Sequence, residues 1–303
     1  MSFKYIDPGY GWGFATSVRN IKSNVYNPKH GVAFYSSEDC SIHLTASSAR
    51  LTEFWLKFDI FLPETDTNIV QITAVYNADS KLLLGIYQSG SNITVVPFGD
   101  SDYELIGTDI GLRTNHVNTF WLYVEASDYR WTQILVVNDI EVLTEVPSIQ
   151  YSGSTYGSFT FTTNSAQPIS NVIISDEEID LRETIVEVGN SGVETTMTED
   201  DGAYSSTQAG DYVLQTLNTT ALYNLFGSDS KVTGMVAIAA PAYTTGDDVT
   251  QIKCRTVNGE TVADYSAQNL SSDPSAMIAE YLQLSSDTTF ADLNGLKVGW
   301  VTA

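Results

Sequence analysis

The stretch FWLKFDIFLP, residues 54–63, alternates without a break: Phe54, Leu56, Phe58 and Ile60 fall on one side of an extended chain, and Trp55, Lys57 and Asp59 on the other. Successive side chains of a strand point to opposite faces, so this period predicts a strand with one face turned to a core and a second, mixed face. TFWLYVEA (119–126) repeats the pattern, with Phe120, Leu122 and Val124 opposite Trp121, Tyr123 and Glu125. Between them lie IVQITAVYN (69–77), LLLGIYQSG (82–90) and NITVVPFG (92–99), each closed by turn residues. WTQILVVNDIEVLTEVP (131–147) reads as two strands about Asn138–Asp139, and SFTFTT (158–163) and ISNVIISD (169–176) complete the set. Short strands at this spacing, with no helical periodicity, predict an antiparallel sandwich.

After Arg182 the texture changes. Residues 189–211 are rich in Gly, Ser, Thr and Asp. TTALYNLFG (219–227) fits a short helix between Thr219 and Gly227, and KVTGMVAIAAPAY (231–243) an apolar strand. VTQIKCRTVNGETVADYS (249–266) fits a hairpin about Asn258–Gly259. SAMIAEYLQL (275–284) suits a strand or a helix, and LNGLKVGWVTA (293–303) a closing strand. The expected organisation is all-β: a jelly roll over 1–178, an acidic linker over 179–190, and a second, smaller β-sandwich over 191–303.

The chain has 303 residues with 37 acidic and 14 basic side chains, a net charge of −23. Residues 184–303 hold 15 of the acids and only 4 of the bases. Phosphate backbones and anionic membranes are bound through Lys and Arg, so neither nucleic acid nor a membrane is an expected partner. Cys40 and Cys254 lie far apart and read as buried thiols. The start MSFKYIDPGYGWG lacks a basic head followed by an apolar run, so synthesis in a bacterial cytoplasm without a signal peptide is expected. The apolar run GMVAIAAPAY (234–243) is half of the roughly 20 residues that a membrane helix needs.

Two resemblances follow from these segments. FWLKFDIFLP, NTFWLYVEA, the QILVVNDIEV hairpin and the closing ISNVIISD together resemble the concanavalin-A/laminin-G-like jelly roll, over residues 1 to about 178. The strand KVTGMV, the polar hairpin after it, Asp273–Pro274 and the ending TTFADLNGLKVGW (288–300) resemble a β-sandwich module of tailed-phage and prophage virion proteins. Phe290 stands near where that module carries Trp, while Ala291–Asp292–Leu293–Asn294 and Gly299 keep the rest. The resemblances imply a non-enzymatic virion component (tail fibre, baseplate or head decoration) that contacts other virion proteins or itself as a homo-oligomer.

EIDLRE (178–183) resembles the catalytic signature of jelly-roll β-glucanases, with Glu178 and Glu183 as the working pair. Glu178 and Asp180, at i and i+2 of a strand, would lie roughly 6.5–7 Å apart on one face, near the roughly 5–5.5 Å of a retaining pair, and a bulge can bring in Glu183. Its place after the last jelly-roll strand, its Arg182 at a position usually apolar, and the preceding Asp176 and Glu177 favour an exposed linker. No catalytic residue is therefore assigned. A sugar-binding face is the alternative: Trp55, Asp59, Trp121, Tyr123 and Glu125 share one side of the sheet if the two strands pair, with aromatic rings for pyranose stacking and carboxylates for hydroxyls. The same aromatics also suit simple core packing. In DPGYGWGF (7–14), Tyr10 and Trp12 read as a particle or oligomer contact. His30, His43 and His116 show no metal-binding spacing, so no metal is assigned. EDDG (199–202) and TTGDDV (244–249) offer oxygens to calcium but lack the spacing of a dedicated loop, and read as solvated turns.

Overall fold

A computed structural model of the chain describes residues 4–7, 20–23, 32–35, 40–43, 53–64, 69–77, 82–89, 92–97, 104–106, 112–127, 130–143, 156–161, 167–180, 183, 185–246, 248–274 and 276–303. The chain divides into two compact units, Met1–Val186 and Glu187–Ala303.

In the first unit one sheet runs β12 (Ile140–Leu143), β11 (Arg130–Val137), β10 (His116–Ser127), β5 (Glu53–Leu62), β14 (Ile169–Ser175), β3 (Val32–Tyr35) and β2 (Asn20–Ser23), with β1 (Lys4–Asp7) also paired to β14. The facing sheet runs β4 (Cys40–His43), β13 (Tyr156–Phe161), β6 (Ile69–Asn77), β7 (Leu82–Ser89), β8 (Asn92–Pro97) and β9 (Glu104–Ile106). The alternation of β5 and β10 decides what lies between the sheets. Phe54, Leu56, Phe58, Ile60, Phe120, Leu122 and Val124 are all buried there. Phe58 stacks on Phe120 at 5.1 Å within the sheet and meets Phe161 of the other sheet edge-on at 5.1 Å. Phe54 meets Phe159 likewise at 4.9 Å. Burying each such ring contributes roughly 1.5–3 kcal/mol. The first unit is thus the two-sheet, antiparallel jelly-roll sandwich that the alternation predicts. Asn138 and Asp139 take positive φ of 50° and 67° between the paired Val137 and Ile140, the conformation of a two-residue hairpin loop. The short strands β1 to β4 and β9 were not expected from the sequence; three or four residues are too few to show a period.

The second unit is built on β15 (Gly189–Thr195), β18 (Tyr212–Asn218), β24 (Lys297–Thr302), β20 (Gln251–Asn258) and β21 (Thr261–Asp264), in that order, with β22 (Gln268–Asn269) beside β20. A two-stranded sheet, β19 (Gly234–Ala239) with β23 (Ile278–Gln283), covers part of it. Leu217, Ile252, Cys254, Val298 and Trp300 of the large sheet form one core with Ile278 and Leu282 of the small one. A hairpin of β16 (Thr198–Asp200) and β17 (Ala203–Ser205) and two short helices, α1 (Thr220–Phe226) and α2 (Phe290–Leu293), complete the unit. The ambiguous segment 275–284 is therefore a strand, since Ile278 and Leu282 share the core face. The hairpin loop is Gly259–Glu260, one residue later than expected, because Asn258 pairs with Thr261 and Gly259 supplies the positive φ of 59°. Thr219 sits at the N-cap of α1 without capping it: its hydroxyl donates to the Phe290 carbonyl, and Asn218 Oδ1 accepts from Thr220 N at 3.1 Å. Cys254 is fully buried, and desolvation, then the Glu280 charge, push its thiol up to about 12.

All four bases of this unit are in ion pairs. Arg255 holds Asp264 through Nε at 2.5 Å and Nη2 at 2.9 Å, and Lys253 Nζ reaches the same carboxylate at 2.7 Å. Lys297 pairs with Glu194 at 2.7 Å and Lys231 with Asp287 at 3.4 Å. The Arg255 hydrogen bonds, with Lys253 second, hold the Asp264 carboxyl well below the usual carboxylate range. A depressed acid stabilises the fold above its unfolded value and loses that effect as the pH falls toward its folded value. The stability gap between wild type and Asp264→Asn should therefore be constant from pH 5 to 8 and shrink only below about pH 4, near the unfolded value; urea unfolding across that range checks it. A second prediction concerns Gly299. A Cβ there would lie 2.0 Å from the Val213 carbonyl oxygen of the neighbouring strand. Backbone cannot yield as a flexible side chain can, so Gly299→Ala should destabilise the second unit by about 1–3 kcal/mol or more in denaturant titrations.

Candidate functional site

The residues that β5 and β10 do not send inward form the outer face of the first sheet. Trp55 is directly opposite Tyr123, Lys57 opposite Trp121, and Asp59 opposite Thr119. The Trp55 and Tyr123 rings stack with centroids 4.6 Å apart and planes 30° apart. Trp55, Trp121 and Tyr123 are each half-buried. The pairing condition for a shared aromatic face is met.

Part of that face is closed by the chain itself. After β14 the chain returns across the sheet as a strap, of which Ile179, Asp180, Glu183 and Ile185 are described. Ile179 is buried to 1% exposure. Three strands hold the strap by its main chain. Trp121 Nε1 on β10 donates to the Ile179 carbonyl at 2.8 Å, Lys57 Nζ on β5 donates to the Glu183 carbonyl, and Asn171 Oδ1 on β14 accepts from Ile185 N at 3.3 Å. Asn171 reaches this position from a positive φ of 52° inside a register shift of β14, a conformation to which asparagine is well suited. Its amide also donates to Asp59 Oδ2 at 3.3 Å, while Thr119 Oγ1 donates to Asp59 Oδ1 at 2.6 Å. A buried carboxylate needs such donors, and they leave Asp59, at 1% exposure, enclosed beneath the surface.

The strap therefore crosses the row of Trp121 and Lys57 and leaves the Trp55–Tyr123 row beside it. Glu125 lies one pair further along, opposite Glu53 in register; its side chain is outside the described residues. Tyr10 and Trp12 are also outside them. Glu178 and Asp180 are exposed on backbone that is not in a strand, and Glu183 N closes a turn onto the Asp180 carbonyl at 2.9 Å. The i, i+2 strand spacing that linked EIDLRE to the glucanase signature is absent. The acid loop at 199–202 is exposed, and among the described residues no group of three or more His, Cys, Asp or Glu is placed to hold a metal. Sequence reasoning missed Asn171 and Ile179, the two residues that seat the strap. The isolated Ile179 between acids was the available signal.

No protein-family model matches the chain, and no curated protein matches it. Among solved structures it is similar to the endo-β-1,4-glucuronan lyase of the fungus Trichoderma reesei, with 10% identity over 56% of this chain and 94% of that one and a TM-score of 0.42. A tetrameric galectin from the ball sponge Cinachyrella sp. gives 14% identity, 45% and 97% coverage and a TM-score of 0.34. The cellulose induced protein Cip1 gives 10%, 59% and 87%, and 0.35. These are likenesses of backbone architecture.

Ile179→Ala should lower the unfolding free energy of the first unit by about 2–5 kcal/mol, the usual cost of truncating a buried Ile. It should also red-shift tryptophan emission as Trp121 gains water; unchanged emission and stability would remove the strap from the account.

Proposed function

We propose that the first unit is a non-catalytic glycan-binding jelly roll, carried by a structural protein of a phage or prophage particle. The observation that supports binding above all others is the stacked, half-buried Trp55–Tyr123 pair on the outer sheet face. Aromatic rings held against a rigid sheet present flat apolar surface to the C–H faces of a pyranose at little entropic cost. The strap runs beside this surface: the Ile179 carbonyl is fixed to Trp121, and its neighbours Glu178 and Asp180 are exposed. The non-catalytic reading is supported by the enclosure of Asp59 beneath the surface and by the engagement of Lys57 by the strap. The particle setting rests on the resemblance of residues 231–300 to virion modules.

A glycan array identifies candidate ligands, and tryptophan-fluorescence titration with a soluble fragment of the strongest one measures affinity. Tyr123→Ala and Trp55→Ala should each weaken binding about tenfold or more, equivalent to about 1.4 kcal/mol. A wild-type protein that binds no glycan, or variants that bind as well as wild type, would sink the proposal.

A further inference from the structure

The two layers of the second unit are unequal, and the mismatch leaves a specific vacancy. β23 lies on the β22 side, since Gln268 Nε2 donates to the Ala279 carbonyl at 3.1 Å and to Glu280 Oε2 at 2.7 Å. β19 is its only strand partner, and the other long edge of β19 has none among the described residues. Beneath that edge the large sheet continues for two more strands, β18 and β15. Their residues on the core-facing side follow from the register: Val213 is opposite Trp300, Gln215 opposite Val298, and Val193 opposite Gln215. Trp300 and Val298 are buried, whereas Gln215 is exposed and Val193 is 44% exposed. The inward residues of β19 show the same thing. Met235, Ala237 and Ala239 face the core yet stay half-buried, while Ile278 and Leu282 of β23 are buried. A layer one strand wider would cover all of them.

We infer that the free edge of β19 receives an extended segment of another chain, added as a third strand over β18 and β15. Backbone groups of an edge strand bond any extended chain, and alternate side chains then meet the surface beneath. Neighbouring strands lie about 4.8 Å apart, so the ledge of two strands has room for such a segment. Side chains facing the ledge meet Val193 and Val213 with Gln215 between them, and those over the two valines are apolar. Those facing outward enter the field of a unit with 15 acids, whose four bases are all engaged in ion pairs, and basic residues complement it. The segment therefore alternates apolar and basic residues. A second copy paired edge to edge through β19 fits less well: β18 and β15 of both copies project past that edge into the same space, and each copy carries a charge of −23.

The probe is a fluorescein-labelled ten-residue peptide alternating valine and lysine. Its controls are a valine–glutamate peptide and a peptide of the same valine–lysine composition in blocks. Anisotropy with the full chain should show saturable binding at least tenfold tighter for the alternating valine–lysine peptide than for either control. Hydrogen exchange should slow at the amides of residues 234–239. Val193→Asp keeps the favourable charge and removes the apolar contact, and should weaken binding about fivefold or more with an unchanged circular dichroism spectrum. Equal binding of the block peptide, full affinity in Val193→Asp, or unprotected 234–239 amides would overturn the inference. So would a dimer that protects those amides and excludes the peptide.

Discussion

Everything in the first unit depends on the two-residue period of β5 and β10 being kept in register. Because Phe58 is opposite Phe120 and Trp55 opposite Tyr123, one register places five phenylalanines and their aliphatic neighbours in the sandwich and a ribbon of aromatics outside it. A slip of one residue would exchange the two sets, burying Lys57 and Asp59 in the core and exposing the rings. The penalty for that exchange fixes the core and the candidate site together.

The outer ribbon then becomes a surface that the chain itself must manage. Trp121, Lys57 and Asn171, on three adjacent strands, each bond the main chain of the strap, and Ile179 is buried. Bonds to backbone demand little of the strap's own sequence, so charged residues can occupy it. This explains how DEEID can spell a solvated linker while its isoleucine is buried. It also divides the ribbon into a part that bonds the strap, at Trp121 and Lys57, and a part beside it, at Trp55 and Tyr123.

Long, strictly alternating segments were legible in the sequence, and so was the Asn138–Asp139 turn, because each carries its period or its left-handed residues in the local chain. The strap was not legible, since its seat is a long-range event: its main chain meets side chains 14 to 126 residues away in sequence, Ile185 with Asn171, Ile179 with Trp121 and Glu183 with Lys57. The polar strands β15 to β17 were missed for another reason. Gly, Ser and Thr at exposed positions show no apolar alternation, and pairing with β18 alone orders β15. Asp59 shows the limit of reading a face by period. Its side was right, but only the structure reveals Thr119 and Asn171 closing over it.

The division of the ribbon is the central claim, and the indole N–H resonances test it most directly. With the first unit assigned by NMR and the best glycan ligand added, the Trp55 indole proton should shift progressively. The Trp121 indole proton should stay in place and exchange slowly with solvent, as expected of a donor to the Ile179 carbonyl. A Trp121 proton that exchanges rapidly and moves with ligand, beside an unmoved Trp55, would contradict the account.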